Sequence, residues 1–369
     1  LLMYFFLYRY LTLPAGTPFR RGALPLFLSG LFWGIGAASK WTVIYGAAGL
    51  AVLYFIGLHA KWRAWPVGEQ APRFAPWLVK TLLLSALCFV AIPACIYCLS
   101  YLPYAQAKGV DLSFANTLAG ARESLPVLIQ NLWGRYTGGE GFQAASIPKD
   151  SLPGIMADNQ WFMLTYHEGV HAAHPYSSRW YQWLVDARPI LYYLDNKSGA
   201  AQELKAAFGC FNNPIVCWAG LLAMLTLLLP PLLSLLSTLT RPLRAFLARL
   251  LPGGTVRCDG VPALDFLAPD GRGIFILIGY LSQFLPWVFI GRTTFEYHYF
   301  PSTVFLVLAV SYVMDGMIRR RPDTWRGPVY GLTAGAVGLY VLFYPVLIGL
   351  MTPTWYTSNI LKWLPSWPF

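Results

Sequence analysis

Charge is scarce in this sequence. Asp, Glu, Lys and Arg make up 12% of its 369 residues, about half the share of an ordinary soluble domain. With 56% hydrophobic and 16% aromatic residues, the chain has too little polar surface to fold in water, and the solvent it expects is a bilayer. A secreted disulfide framework is also missing. Cys88, Cys95, Cys98 and Cys217 fall inside apolar runs and Cys258 in a basic loop, so Cys95 and Cys98, despite their C-x-x-C spacing, are expected to be small buried hydrophobes without a charge to stabilise a thiolate. There is no internal repeat, no low-complexity tract, and no charged n-region with a small-residue cleavage site. These absences argue against solenoids, give inverted-repeat transporters no support and make the first residues an unexpected place for a signal peptide.

Long apolar runs are abundant. Segments near residues 22–38, 42–58, 79–102, 211–238, 273–290, 299–317 and 328–350 are each long enough for one crossing, whereas the run Leu1 to Tyr8 is too short for a hydrocarbon core that needs about 20 helical residues. The chain is therefore expected to begin inside a span. The formal charge of +11 is no nucleic-acid footprint, because the cations cluster between spans. Segments 9–21, 59–80, 239–272 and 318–327 hold 16 of the 27 Lys and Arg residues against five acids. By the positive-inside rule they are cytoplasmic. The Ser39-Lys40-Trp41 turn, segment 103–210, loop 291–298 and the tail from about 351 then fall on the other face. Mid-span charges, the mark of a transporter, are few.

This divides the chain into spans over 1–102, an external subdomain over 103–210 with amphipathic helices, and a C-terminal span region over 211–369. Within the subdomain Trp180, Trp183, Leu184, Ala187, Leu191 and Leu194 recur at helical spacing, which predicts a headgroup-level helix kinked at Pro189. His167-Glu168-Gly169-Val170-His171 fits H-E-x-x-H, the pattern in which two His residues one helical turn apart hold zinc. Its loop context, with Pro175 close behind, argues against a metalloprotease, and no metal is expected there.

The most distinctive stretch is His174-Pro175-Tyr176-Ser177-Ser178-Arg179-Trp180, followed by Trp183 and by Arg188-Pro189-Ile190-Leu191-Tyr192-Tyr193. It resembles the external-loop signature of the protein O-mannosyltransferases: His-Pro-Tyr, small residues, Pro-Trp, Trp-Pro, then Arg-Pro and an aromatic pair. Arg179 and Leu184 stand where that pattern usually has Pro. Ser39-Lys40-Trp41 between paired spans and Arg292-Thr293-Thr294-Phe295-Glu296-Tyr297-His298-Tyr299-Phe300-Pro301 resemble the same family in order and topology. The eukaryotic relatives' β-trefoil insertion has no room here, so the resemblance is to bacterial-type members.

The resemblance implies an all-α integral membrane protein, a polytopic helical bundle of GT-C-like architecture. It implies transfer of mannose from a polyprenyl-phosphate carrier, the substrate in place of any cofactor, to Ser or Thr hydroxyls of an acceptor polypeptide on the non-cytoplasmic face, in a bacterial plasma membrane or, in a eukaryote, the endoplasmic reticulum. The family's catalytic base is an Asp in a first external loop, expected upstream of Leu1, so none of Asp158, Glu168 or Asp186 is assigned that role. The departing phosphate needs a cation at the outer boundary. Lys40 and Arg292 are the candidates, against snorkelling or headgroup anchoring, with Glu296 and His298 in one polar network beside Arg292 and Glu296 equally suited to a structural ion pair. His174, Tyr176, Trp180, Trp183 and Arg188 are the sugar or acceptor candidates, and Trp133 and Trp161 are further aromatic faces. A glycosyltransferase with a lipid A or cell-wall glycan acceptor is the competing reading.

Overall fold

The computed structural model of the protein describes all residues except 70–71, 140, 172–173, 198–202 and 251–269. Cys258 and most of the basic 239–272 loop therefore lie outside the described residues. The chain divides into two compact units, Leu1–Ala172 and Ala173–Phe369. The division falls inside the segment read as one external subdomain.

In the first unit α1 (Leu2–Leu11), α2 (Phe19–Ser39) and α3 (Val43–Arg63) are followed by α4 (Phe74–Ala86), a π turn (Leu87–Ala91), α5 (Ile92–Ser100) and α6 (Leu102–Ala107). Helix α2 is the hub against which α1, α4, α5 and the π turn pack. Gly30 is required there, because a Cβ would run into the Cys88 carbonyl oxygen of the π turn. Cys88 is buried in that contact, but Cys95 and Cys98 are exposed on α5, so they are not the buried hydrophobes their apolar setting suggests. Outside the spans, α7 (Phe114–Thr137) pairs with α8 (Leu152–Gly169). Ser113 and Ser151 cap their N-termini by accepting from Asn116 N and Gly154 N.

The second unit runs through a one-turn helix α9 (Trp180–Trp183), strands β1 (Ile190–Lys197) and β2 (Leu204–Cys210), and helices α10 (Pro214–Leu250) and α11 (Gly271–Phe289). A 3₁₀ turn (Glu296–Tyr299), α12 (Phe300–Arg320), α13 (Pro322–Ile348), β3 (Met351–Pro353) and a closing π turn (Tyr356–Leu361) complete it. Helix α12 is the hub, touching α10, α11 and α13. The antiparallel sheet, in the order β1-β2-β3, lies against α13. Its packing core joins Leu191, Ala207, Phe211, Phe343, Val346 and Leu361 to the chain's last aromatics, Trp367 and Phe369.

Seven helices among the described residues are long and apolar enough to cross a bilayer, and they fall on the seven apolar segments. Their outward faces carry Val79, Leu83, Val90, Leu222, Val337 and Val341, each more than half exposed. Such faces are stable only in hydrocarbon. Exposed hydroxyls on the spans return to their own helix, as Thr226 donates to Leu222 O and Thr333 to Val329 O, while buried ones reach a neighbour, as Ser29 donates to Met3 O and Ser85 to Tyr54 Oη; a solvent without hydrogen-bonding partners demands one or the other.

The sheet corrects the helix expected over 180–194. The helix stops at Trp183, Asp186 takes a left-handed conformation at φ 57°, and Pro189 has no N–H to continue a helix. The β-branched and aromatic run Ile190-Leu191-Tyr192-Tyr193 then pairs with residues 208–210.

Candidate functional site

In the second unit two of the stretches that carry the resemblance dock on each other. Ser178 N donates to Thr294 O (2.9 Å) and Thr294 Oγ1 to Ser178 O (2.6 Å), and Arg179 Nη1 reaches Gly291 O (3.3 Å). Behind this ladder Trp183, 1% exposed, donates from its indole N–H to Ser178 Oγ (2.9 Å) and packs on Trp287, His298 and Tyr299. The loop is braced at its far end as well. Arg188 Nη2 donates to Pro175 O (2.8 Å), and the indole of Trp367 to Asp186 O (2.9 Å).

The candidates separate into exposed and buried groups. His174 is exposed, stands edge-on to the Phe295 ring at 5.0 Å and accepts from Tyr176 N on Nδ1 (3.2 Å). Tyr176, Trp180 and Arg188 are half-buried beside it in sequence. Arg292 is half-buried too, with its guanidinium over the Trp287 ring at 5.9 Å and Nη1 donating to Thr293 O (3.1 Å). Trp183 and His298 are buried in the aromatic stack, and the His298 ring lies 4.3 Å from those of Trp287 and Tyr297.

Glu296 is not the ion-pair partner of Arg292. Residues 292–295 lie outside any helix and helical geometry begins only at Glu296, so the spacing of four does not bring the two side chains together. Glu296 is fully buried and accepts from Asn212 Nδ2 on Oε1 (3.1 Å). Asp186, Asn212, Ser178, Thr294 and Trp287 are brought to the site by the fold and carry no role in the sequence pattern alone. The adjacent Asn212 and Asn213 just before Pro214, two amides at the mouth of a span, were the available signal.

Asp186 is equally buried and accepts from Asn212 N on Oδ1 (3.3 Å). Burial raises its carboxyl to about 6, opposed in part by hydrogen bonds from Glu296 and Asn212. Burial likewise raises the Tyr192 phenol and the Cys210 thiol.

In the first unit Lys40 ends α2 and lines a cavity of about 360 Å³ with Trp41, Tyr97, Tyr101, Tyr104 and Asn159. Trp41 Nε1 donates to Tyr97 Oη (2.9 Å), and Gln160 Nε2 to the phenol oxygens of Tyr97 (2.8 Å) and Tyr101 (3.0 Å). A second, mostly apolar cavity of about 410 Å³ is lined by Trp33, Leu50, Tyr54, Ser85 and Phe89. The H-E-x-x-H residues do not share one helix. Helix α8 ends at Gly169, two residues before His171, and Glu168 is held by Arg135 and Tyr136.

Against this geometry stands a family match. The family model for the C-terminal four TMM region of protein-O-mannosyltransferase matches residues 155–367. The chain belongs to the protein O-mannosyltransferase family. It is a multi-pass integral membrane protein, and the match spans both docked stretches and the four spans that follow α9. The chain is similar to a polyprenol-phosphate-mannose–protein mannosyltransferase of Mycolicibacterium smegmatis, 26% identical over 92% of this chain and 57% of that protein. The corresponding protein of Mycobacterium tuberculosis is 24% identical over the same shares. A dolichyl-phosphate-mannose–protein mannosyltransferase of Saccharomyces cerevisiae is 32% identical over 26% of this chain and 13% of its own length. The chain thus spans little more than half the length of the mycobacterial relatives. Among solved structures it resembles a Saccharomyces cerevisiae protein O-mannosyltransferase complex, with 19% identity, 62% of this chain and 28% of that chain covered, and a TM-score of 0.43. A likeness of that size places no residue.

Proposed function

We propose that the protein to which this chain belongs transfers mannose from a polyprenyl-phosphate-mannose donor to Ser or Thr hydroxyls of acceptor proteins, on the non-cytoplasmic face. The observation that carries the reading is the docking of His174–Trp180 on Gly291–Glu296, two family stretches separated by more than a hundred residues and joined by reciprocal backbone and side-chain hydrogen bonds. The relatives named for this transfer support the donor and acceptor classes, and the basic loops between spans support the sidedness.

Roles follow from exposure and charge. Arg292 is the phosphate ligand: its cation is partly shielded from water and no acidic side chain forms an ion pair with it among the described residues. A cation so placed stabilises the negative charge that grows on the departing phosphate. Lys40, at the cavity of the first unit, is the alternative cation for this task. His174, Tyr176, Trp180 and Arg188 present donors and aromatic faces to the sugar or the acceptor. Trp183, His298 and Glu296 support these groups from behind, since none has enough open surface to meet a substrate. The apolar cavity of the first unit suits a stretch of prenyl chain. The catalytic base is assigned to none of these residues.

The test is a transfer assay with purified full-length protein, a synthetic polyprenyl-phosphate mannose, and in parallel a Ser/Thr peptide, a lipid A acceptor and a cell-wall glycan. Mannose on peptide hydroxyls is the expected product; mannose only on the lipid or the glycan refutes the acceptor class.

A further inference from the structure

Asp186 and Glu296 pose an accounting problem. Both are 0% exposed. Asp186 Oδ1 and Glu296 Oε1 are each satisfied by Asn212, through its backbone N–H and its side-chain amide. The other oxygens, Asp186 Oδ2 and Glu296 Oε2, have no donor from any other group among the described residues. Yet the two carboxyls lie within hydrogen-bonding reach of each other. Among the described residues, the ionisable groups that act on the pair are the Cys210 and Cys217 thiols and the Tyr299 phenol, and none of these supplies a positive charge.

Two ionised carboxylates without a cation between them are not tolerated at such burial, because each loses its hydration and they repel in a medium that screens weakly. Two carboxylate oxygens facing each other have no hydrogen bond to make unless one carries a proton. We infer that Asp186 and Glu296 hold one proton in common between Oδ2 and Oε2, and that this singly charged acid–carboxylate pair, with Asn212, is the strut that positions the His174–Arg188 loop against the Arg292–Pro301 stretch. Adding the proton satisfies both orphaned oxygens, leaves one negative charge instead of two, and makes the short charge-assisted hydrogen bond typical of such pairs. Asp186 anchors the loop side, where its own carbonyl accepts from Trp367. Glu296 anchors the other side, two residues from the Thr294 that bonds Ser178. The pair touches no substrate; its members are positioning residues.

The consequence for transfer rests on the proposed function, but the proton itself is read independently. Infrared difference spectra of full-length wild-type protein minus Glu296→Gln, and minus Asp186→Asn, at neutral pH and with deuterium exchange, report whether a carboxylic acid carbonyl is lost. Each amide supplies permanently the hydrogen that the shared proton supplied, and Asn suits the left-handed φ of Asp186. Either single variant is therefore expected to fold, to abolish one full acid carbonyl band and to retain transfer within a few-fold, whereas Glu296→Ala loses most of it. No acid band in wild type, or loss of an acid band in only one of the two variants, overturns the shared proton. So does a metal cation bound stoichiometrically in wild type and lost in both variants. A shared band together with full transfer in Glu296→Ala overturns the positioning role alone.

Discussion

One polar cluster in each unit shows two opposite ways of handling polar groups. In the second, Asp186, Asn212, Glu296, Ser178, Thr294 and Trp183 are all buried and bonded almost wholly to one another. In the first, Trp41, Tyr97, Tyr101 and Gln160 are also bonded in a network, but it is exposed or half-buried and borders the cavity lined by Lys40. A closed network fixes backbone segments because breaking it strands groups that have no water to turn to. An open one holds its groups loosely and leaves them available to a ligand.

In stability, the largest effect belongs to the closed network. Glu296→Ala strands the Asp186 carboxyl in a dry site and is expected to cost about 3 kcal/mol, while Glu296→Gln stays within about 1 kcal/mol of wild type. Thermal unfolding of the purified proteins in one detergent measures both, and equal losses remove the argument for a hydrogen-bonded pair.

The next effect is a pH dependence. Burial holds the Asp186 carboxyl up at about 6, above the unfolded value near 4, so below about 6 the folded pair takes up a second proton, beyond the shared one, that the unfolded chain binds only below about 4. Its stabilising contribution is complete below about pH 4 and is lost as the pH rises through about 6. Relative to Asp186→Asn, wild type is expected to gain roughly 1–1.5 kcal/mol between pH 7 and pH 5. Parallel unfolding curves for the two proteins across that interval would place the Asp186 carboxyl at its ordinary value.

The open cluster should respond least. Gln160→Ala and Tyr97→Phe are expected to change stability by less than about 1 kcal/mol, since water replaces the lost partners. The Arg135–Glu168 pair, whose side chains are 35% and 36% exposed, is worth about 0–1 kcal/mol by a double-mutant cycle. A loss above about 2 kcal/mol for Gln160→Ala would mean that the network is closed after all, and the contrast between the units would fall.

The spans were readable because a bilayer imposes a local rule: about 20 consecutive apolar residues per crossing, wherever they sit in the chain. Trp180 to Leu194 shows where local rules fail. Their spacing fits a helix, but Asp186 turns left-handed and Ile190–Lys197 pairs with a strand that begins at Leu204, then through it with Met351–Pro353. That outcome depends on partners up to about 160 residues away. The H-E-x-x-H spacing of His167 and His171 likewise carries no helical geometry of its own, since a pattern that requires one continuous turn meets a helix end at Gly169. The candidate site was half legible. His174 is exposed and Tyr176 and Arg292 are half-buried, whereas Trp183, Glu296 and His298, equally prominent in the sequence, are buried. The Asp186–Asn212–Glu296 network has no local signature beyond the paired Asn212 and Asn213, because its members come from three separate segments.

The account turns on Arg292. The direct measurement is transfer of radiolabelled mannose from a synthetic polyprenyl-phosphate donor to an acceptor peptide by full-length wild type, Arg292→Ala and Arg292→Lys, matched for membrane abundance. Loss of a phosphate contact made in the transition state predicts a fall on the order of 10²–10³ in the Ala variant. The Lys variant should recover part of it, because it keeps the charge but not the planar fork. Near-normal transfer by Arg292→Ala would contradict the account and move the phosphate to Lys40.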